Sequence, residues 1–336
     1  MKEYKLALVG ATGLVGRTAL KVLEEFNLPI SKYEFFSSSR SAGKKILFQG
    51  KDYIVKELTE DSFLEDKFDF AIFSAGASTS KKFAPIAASN GCIVIDNSSA
   101  FRMDEDVPLI VPEVNPEEIF NHNGIIANPN CSTIQAVVVL KPLDDAYKIK
   151  RIVYSTYQAV SGAGNKGVAD LDNGIFNYSN KCCDYSLQKF PYPIFNNCLP
   201  HIDVFLDNGY SKEEEKMINE TRKILKKPDL KITATTVRVP VFNSHSEAIN
   251  VEFEKDFKIE ELRDLLIHSS GITVIDDPSN NKYPLCKDAT GSDNVYVGRI
   301  RRDYSVDSGV NLWVVADNLR KGAASNAIQI LEKMIQ

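Results

Sequence analysis

A chain of 336 residues that is 43% hydrophobic and 25% charged can bury the cores of two ordinary domains without disulfide or metal staples. A net charge of −5 with no long basic block argues against nucleic acid or an anionic membrane surface as a partner, and no apolar run is long enough to span a bilayer. Six cysteines without CxxC or CxxH spacing and four scattered histidines argue against a metal site, and the lack of a signal-type apolar segment makes a reducing cytoplasm the expected compartment and a small molecule the expected ligand.

The first predicted element is an apolar strand, Lys5-Leu6-Ala7-Leu8-Val9, followed by Gly10-Ala11-Thr12-Gly13-Leu14-Val15-Gly16 and an amphipathic helix carrying Ala19, Leu20, Val22 and Leu23. Glycines at 10, 13 and 16 let the backbone turn sharply and approach a pyrophosphate, while the helix N-terminus faces the phosphates. This GxxGxxG spacing is a variant of the dinucleotide fingerprint, and it makes Gly10, Thr12, Gly13, Leu14 and Val15 candidate cofactor contacts. A second strand over 33–36 ends in Ser37-Ser38-Ser39-Arg40-Ser41, where an NAD-specific enzyme carries an acid for the ribose hydroxyls. Hydroxyls and a guanidinium stand there instead, so Ser38, Arg40 and Ser41 suit the 2′-phosphate of NADP. Further strands are expected over 68–73 and 92–95, with a helix over 80–88 between them, an alternation that implies a mainly parallel sheet with its ligand beyond the strands' C-terminal ends. Arg102, just past the polar strand end Asp96-Asn97-Ser98-Ser99, is a candidate anion ligand.

The apolar run Ile125-Ile126-Ala127 stops at Asn128-Pro129, and a helical pattern through Ile134, Val137, Val138 and Leu140 follows, so Cys131 falls where a strand ends and a helix begins. Backbone N–H groups and the helix dipole favour a thiolate at such a place, and the thiolate is the nucleophile. A cysteine is more commonly a small buried hydrophobe, but Asn, Pro, Ser and Thr neighbours mark a polar chain reversal and not an apolar run. The domain boundary is expected near residue 130.

Beyond it, residues 154–160 alternate as a strand broken by Ser161-Gly162-Ala163-Gly164, and residues 173–200 read as a long irregular insertion. The vicinal pair Cys182-Cys183 within that insertion reads as packing and not redox chemistry. Ser211-Lys212-Glu213-Glu214 is a capping box opening a helix that runs toward Pro228, with Glu213 and Lys216 together on one face. Residues 231–241 and 245–253 alternate as strands around the turn Phe242-Asn243-Ser244, which Arg238 and His245 flank. A helix over 259–268, a strand over 272–275, paired strands over 295–301 and 310–316, and a last helix from 321 complete the chain. The second domain is thus expected to be an open, largely antiparallel sheet with helices, its last helix returning to the first domain and Asn318 at the junction within reach of the cofactor.

The blocks GATGLVG, SSRSAG, NSSAFRM, NPNCST, YQAVSGAG, SKEEEKM, RVPV with HSEAINVEF, and DNLRKGAA, in that order, resemble the aspartate-β-semialdehyde dehydrogenases over essentially the whole chain. The resemblance implies an α/β fold: a Rossmann-type NADP-binding domain (1–130, completed by 318–336) and an α+β catalytic and dimerisation domain with a mixed, largely antiparallel sheet (131–317). It implies reversible, NADPH-dependent reductive dephosphorylation of L-aspartyl-4-phosphate to the semialdehyde and inorganic phosphate, on the path to lysine, diaminopimelate, threonine and methionine, by a homodimer or tetramer. Cys131 then resembles the nucleophile that forms a thioacyl enzyme, His245 its acid/base partner and Gln158 the residue orienting the intermediate. Arg238 resembles the clamp on the substrate carboxylate, Glu213 the partner of its amino group, and Arg102 with Lys216 and Asn130 the phosphate cradle; Ser161, Gly162 and Asn318 fall on the cofactor's side. The nearest rival is N-acetylglutamyl-phosphate reductase, whose motif usually has Gly before the cysteine where Asn130 stands here. A binding protein that senses the cofactor without turnover is a rival of another class, disfavoured by the nucleophile, base and two anion-binding cations.

Overall fold

The structure, a computed structural model, describes residues 3–64, 66–182 and 186–336, so Cys183 of the vicinal pair lies outside the described residues while Cys182 is exposed. The chain divides into two compact units, Met1–Asn130 with Ala323–Gln336, and Cys131–Gly322.

In the first unit the elements run β1 (Tyr4–Val9), α1 (Leu14–Phe26), β2 (Ile30–Ser37), β3 (Lys45–Phe48), β4 (Lys51–Ile54), β5 (Lys56–Glu57), β6 (Phe70–Phe73), α2 (Ala77–Ser89), β7 (Ile93–Asp96) and β8 (Ile125–Ala127). Their main sheet has the order β5-β2-β1-β6-β7-β8 with its neighbouring strands parallel. Alternation along β1 shows why both faces are covered. Leu6 and Leu8 join a core with Ala19 and Leu23 of α1, whereas Ala7 and Val9 join one with Phe73, Ala84 and Ala87 on the other side. Full burial of each Leu is worth about 1.5–3 kcal/mol relative to exposure. The β3–β4 hairpin, which the sequence reading passes over, turns at Gln49-Gly50, both at positive φ (49° and 72°), and sets Phe48 edge-on to Tyr33 and Phe35.

The second unit holds α3 (Cys131–Tyr147), β9 (Ile149–Gln158), α4 (Asn165–Ser179), α5 (Lys212–Ile224), β10 (Lys231–Arg238), β11 (His245–Phe253), α6 (Ile259–Ile267), β12 (Ile272–Val274), α7 (Cys286–Ala289), β13 (Val295–Asp303) and β14 (Gly309–Ala316). Its sheet order is β10-β9-β11-β14-β13-β12, antiparallel through the three inner pairs and parallel at both edges, the mixed sheet that was expected. Helix α3 packs against α5, α6 and the inner strands and is buried nearly all round. After a π-turn over Arg320–Ala324 the last helix, α8 (Ser325–Ile335), adds Ala327, Ile328 and Leu331 to the first unit's core.

Two departures from the sequence reading have local causes. Helix α4 occupies 165–179, including the first part of the stretch read as irregular, because Gly167 and Gly174 depress apparent helix propensity although both sit on its buried side. Strand β9 begins at Ile149, five residues before the expected 154, since the adjacent Lys150 and Arg151, where its pairing with β11 shifts register, interrupt the alternation.

Candidate active site

In the second unit, β9 and β10 run parallel and end side by side, Gln158 opposite Arg238, while β11 runs antiparallel to β9 and starts at that same end with His245. Strand order alone thus gathers three polar side chains at one end of the sheet, each at most 5% exposed. Arg238 Nη1 donates to the carbonyl of Ala159 at 2.6 Å, and the Ala159 N–H donates to His245 Nδ1 at 3.0 Å. Because a backbone N–H only donates, Nδ1 is the acceptor and the neutral ring carries its proton on Nε2. That Nε2 is buried and has no hydrogen-bond partner among the described residues. Burial and the adjacent Arg238 guanidinium pull the His245 pKa from 6.5 down to about 3, so the ring is neutral near pH 7.

The capping box forms as read: Ser211 Oγ accepts from the Glu214 N–H at 3.3 Å and Glu214 accepts from the Ser211 N–H at 2.7 Å. It starts α5 so that Glu213 reaches inward, 5% exposed, where Gln158 Nε2 donates to its Oε1 at 3.3 Å. Lys216 Nζ donates to Glu213 Oε2 at 3.1 Å and to Asp203 Oδ2 at 2.8 Å. Burial works against the Lys216 charge, but these two carboxylates outweigh it and hold its pKa above 10.5. Cys131 is the first residue of α3; burial lowers the Arg238 pKa, and the Glu213 carboxylate and a thiolate at Cys131 offset this in part.

Two glycines make room here. A Cβ on Gly162 would stand 3.0 Å from Arg238 Nη1 and 3.4 Å from His245 Cε1 and Nε2, and one on Gly322 would stand 2.8 Å from the Cβ of Cys131. Ser161 and Gly162 lie in the turn after β9, and Asn318 ties that turn to the residue before His245: its Nδ2 donates to Ser161 Oγ at 2.9 Å and its Oδ1 accepts from the Ser244 N–H at 2.8 Å. The Asn318 side chain is 3% exposed and committed to these bonds.

In the first unit Gly10 has φ +88° and a Cβ there would meet the Ser74 carbonyl oxygen at 2.4 Å, so the turn between β1 and α1 admits only glycine at this position. The N-cap of α1, Gly13, has no side-chain cap, and the first intrahelical bond is from the Arg17 N–H to Gly13 O at 2.9 Å. The N–H groups of Leu14, Val15 and Gly16 therefore have no intrahelical acceptor, which suits a pyrophosphate. Thr12 Oγ1 is 3.0 Å from Ser37 Oγ, and beyond it Ser38 precedes a 3-10 turn that leaves Arg40 exposed just after β2. A cleft of about 510 Å³ beside this turn is lined by Ala11 and Thr12 with the cations Arg17, Lys21, Lys44 and Lys45. Arg102 is 7% exposed and donates from Nε to Asn128 O and from Nη2 to Asn97 O, both at 2.9 Å, and Asn130, 6% exposed, precedes Cys131. These two carbonyl acceptors hold the guanidinium in one orientation.

The sequence-assigned residues thus fall into two groups: Gly10, Thr12, Gly13, Leu14, Val15, Ser38, Arg40, Ser41, Arg102 and Asn130 in the first unit, and Cys131, Gln158, Ser161, Gly162, Glu213, Lys216, Arg238, His245 and Asn318 in the second. Sequence reasoning passed over Gly322, Asp203 and the fully buried Glu247 of β11, an acid at an inward position of an alternating strand. Burial pushes the Glu247 carboxyl well above the ordinary range, and the side chains of Ser132 and Gln135 offset this only in part. Among the described residues no His, Cys, Asp and Glu cluster could hold a metal ion, and no helix is long and apolar enough to cross a membrane.

Residues 5–122 match the family described as "Semialdehyde dehydrogenase, NAD binding domain" and residues 140–321 that described as "Semialdehyde dehydrogenase, dimerisation domain". The aspartate-semialdehyde dehydrogenase of Aquifex aeolicus (strain VF5) is 55% identical over 335 residues, 99% of this chain and 98% of the relative. That of Bacillus subtilis (strain 168) is 48% identical over 336 residues, 98% and 96% of the two chains. Among solved structures, aspartate semialdehyde dehydrogenase II from Vibrio cholerae complexed with ASA superposes with TM-score 0.96 at 46% identity, covering 100% of this chain and 99% of that one. The Candida albicans enzyme with NADP superposes with TM-score 0.78 at 27% identity, covering 100% of each chain. With both parts of the chain matched and relatives of this identity spanning its whole length, the protein belongs to the aspartate-semialdehyde dehydrogenase family.

Proposed function

We propose that the chain catalyses the reversible, NADPH-dependent conversion of L-aspartyl-4-phosphate to L-aspartate-4-semialdehyde and inorganic phosphate. The observation that carries this reading is the convergence of Gln158, Arg238, His245 and Glu213 at one end of the second unit's sheet, with Cys131 opening the helix packed against that sheet. The Cys131 thiolate attacks the acyl phosphate, the C–O bond to phosphate breaks and phosphate leaves, with Arg102, Asn130 and Lys216 read as phosphate-binding residues. The thioacyl group replaces one hard displacement by two easier ones. NADPH, when bound, supplies the hydride. The reduced carbon then bears an oxyanion that collapses to the aldehyde and expels the Cys131 thiolate, so His245 needs only to donate a hydrogen bond to that oxygen. The Nε2–H of its neutral tautomer provides it. Arg238 presents a planar fork to the substrate carboxylate, Glu213 a carboxylate to its ammonium, and Gln158, bonded to Glu213, orients the acyl group.

The glycine turn, the open first turn of α1, exposed Arg40 with Ser38 and Ser41, and the cationic cleft suit a dinucleotide with a 2′-phosphate, which favours NADP. Residues 1–130 with the C-terminal helix are read as the cofactor domain and the remainder as the catalytic domain. An outer cleft of about 390 Å³ on the second unit's sheet, lined by Ala248, Pro284, Leu285, Leu312 and Trp313 among others, supports a homodimer, and a tetramer would be a pair of these. Such an enzyme belongs in the cytoplasm, on the route to lysine, diaminopimelate, threonine and methionine.

The competing N-acetylglutamyl-phosphate reductase is distinguished by its substrate, whose acylated nitrogen carries no charge to meet buried Glu213. Phosphate-dependent NADP reduction assayed with the two semialdehydes side by side should show turnover of aspartate semialdehyde and rejection of N-acetylglutamate semialdehyde. A preference for the N-acetylated compound would overturn the reading.

A further inference from the structure

The stretch between α4 and α5 meets the substrate-binding side chains at three places. Asp170 on α4 is 3% exposed, and its carboxylate accepts the backbone N–H groups of Gln188 at 2.7 Å, Lys189 at 2.9 Å and Phe190 at 3.0 Å. Three amide donors on one buried carboxylate fix that backbone, and with it the side chain of Phe190. The Phe190 ring rests against the apolar cluster of Val160, Leu171, Ile194 and Leu199 and has its centroid 6.0 Å from the Arg238 guanidinium carbon. Further along, Leu199 and Arg238 exchange backbone hydrogen bonds of 2.9 and 2.8 Å. Asp203 then holds Lys216.

One segment therefore anchors the backbone of Arg238, covers its side chain and pairs with Lys216. Its ring matters because a guanidinium flanked by an aromatic face meets less water, and both the cation–π attraction and the weaker hydration leave it better disposed to a carboxylate. Removing the ring lets water compete for the same N–H groups without touching the reacting atoms.

We propose that Phe190, pinned by Asp170, is a specificity-determining residue that walls the Arg238 carboxylate subsite and raises affinity for substrates carrying a carboxylate there. This rests on the reading of Arg238 as the carboxylate clamp. Because Phe190 stands beside the Arg238 guanidinium, its loss affects substrate affinity and spares the chemical step.

The test uses the full-length enzyme in the phosphate-dependent oxidation of aspartate semialdehyde with NADP. Phe190→Ala should raise the KM for the semialdehyde about three- to tenfold, with kcat within about twofold and the KM for NADP unchanged. Phe190→Leu, which keeps an apolar cover, should fall between. Asp170→Asn should raise the same KM, and Asp170→Asn with Phe190→Ala should be no worse than Phe190→Ala alone, since both act through one ring. Should Asp170→Asn fail to fold, the two Phe190 variants decide the matter. An unchanged KM in Phe190→Ala, or an equal fall in kcat with a risen KM for NADP, overturns the proposal. Arg238→Lys reports separately on the underlying reading: if it raises the semialdehyde KM while Phe190→Ala does not, the clamp stands and the wall fails, and if it leaves that KM unchanged, the clamp itself fails.

Discussion

Gly162→Ala isolates the site's packing from its chemistry, because the substitution adds one methyl and no charge. Gly162 is not among the glycines at positive φ, so the backbone accepts alanine. The new Cβ would lie 3.0 Å from Arg238 Nη1, against about 3.4 Å for ordinary contact, so the guanidinium or the His245 ring must give by a few tenths of an ångström. Neither retreats easily, since Arg238 is held by Ala159 O at 2.6 Å and His245 Nδ1 by the Ala159 N–H at 3.0 Å. Overpacking of this kind costs about 1–3 kcal/mol. A misplacement of about 1 Å can cost roughly a hundredfold in rate, so a few tenths should cost about tenfold in kcat/KM. Gly164→Ala is the matched contrast: a Cβ there meets nothing within 4 Å, but its φ of +78° with ψ of −169° is nearly exclusive to glycine. It should lose about 1–3 kcal/mol of stability with little change in kcat/KM for the folded fraction. Steady-state kinetics beside thermal melting read both effects. Gly162→Ala with kcat/KM within about twofold of the parent would refute the account of how this turn shapes the site.

His245 makes stability depend on acidity. Its folded pKa of about 3 lies below the unfolded 6.5, so between these values the unfolded chain binds the extra proton and stability falls as the pH is lowered from about 6.5 toward 3, by on the order of a few kcal/mol. Denaturant titrations across that window should show a shallower slope for His245→Asn, and identical slopes would contradict the buried neutral ring. Arg40→Ala should weaken NADP far more than NAD in equilibrium binding; equal losses for both cofactors would mean that Arg40 does not read the 2′-phosphate.

What the sequence discloses is local. The β1–turn–α1 unit reads directly because an apolar run meets glycines whose steric need is local, and α5 opens on the capping box because Ser211 and Glu214 bond within one turn. The start of α3 at Cys131 follows from the same kind of signal, a strand stopped by Asn128-Pro129. Helix α4 stayed hidden because glycines that close packing demands look like breakers when their neighbours are unknown. The tie of Asn318 to Ser161 spans 157 residues and the approach of Gly322 to Cys131 more still, so no spacing rule reports them. Glu247 is a middle case: its inward place on β11 was legible, but its burial beside Ser132 and Gln135 needed the packing of α3.

The claim at the centre is that Cys131 carries the acyl group, and intact-protein mass spectrometry after mixing with L-aspartyl-4-phosphate in the absence of NADPH tests it most directly. The account predicts one aspartyl adduct on the peptide containing Cys131, discharged by added NADPH as semialdehyde appears, and none on Cys131→Ala, which should retain NADPH binding while losing turnover. Substantial turnover by Cys131→Ala, or an adduct that forms on another residue and discharges at the turnover rate, would contradict it.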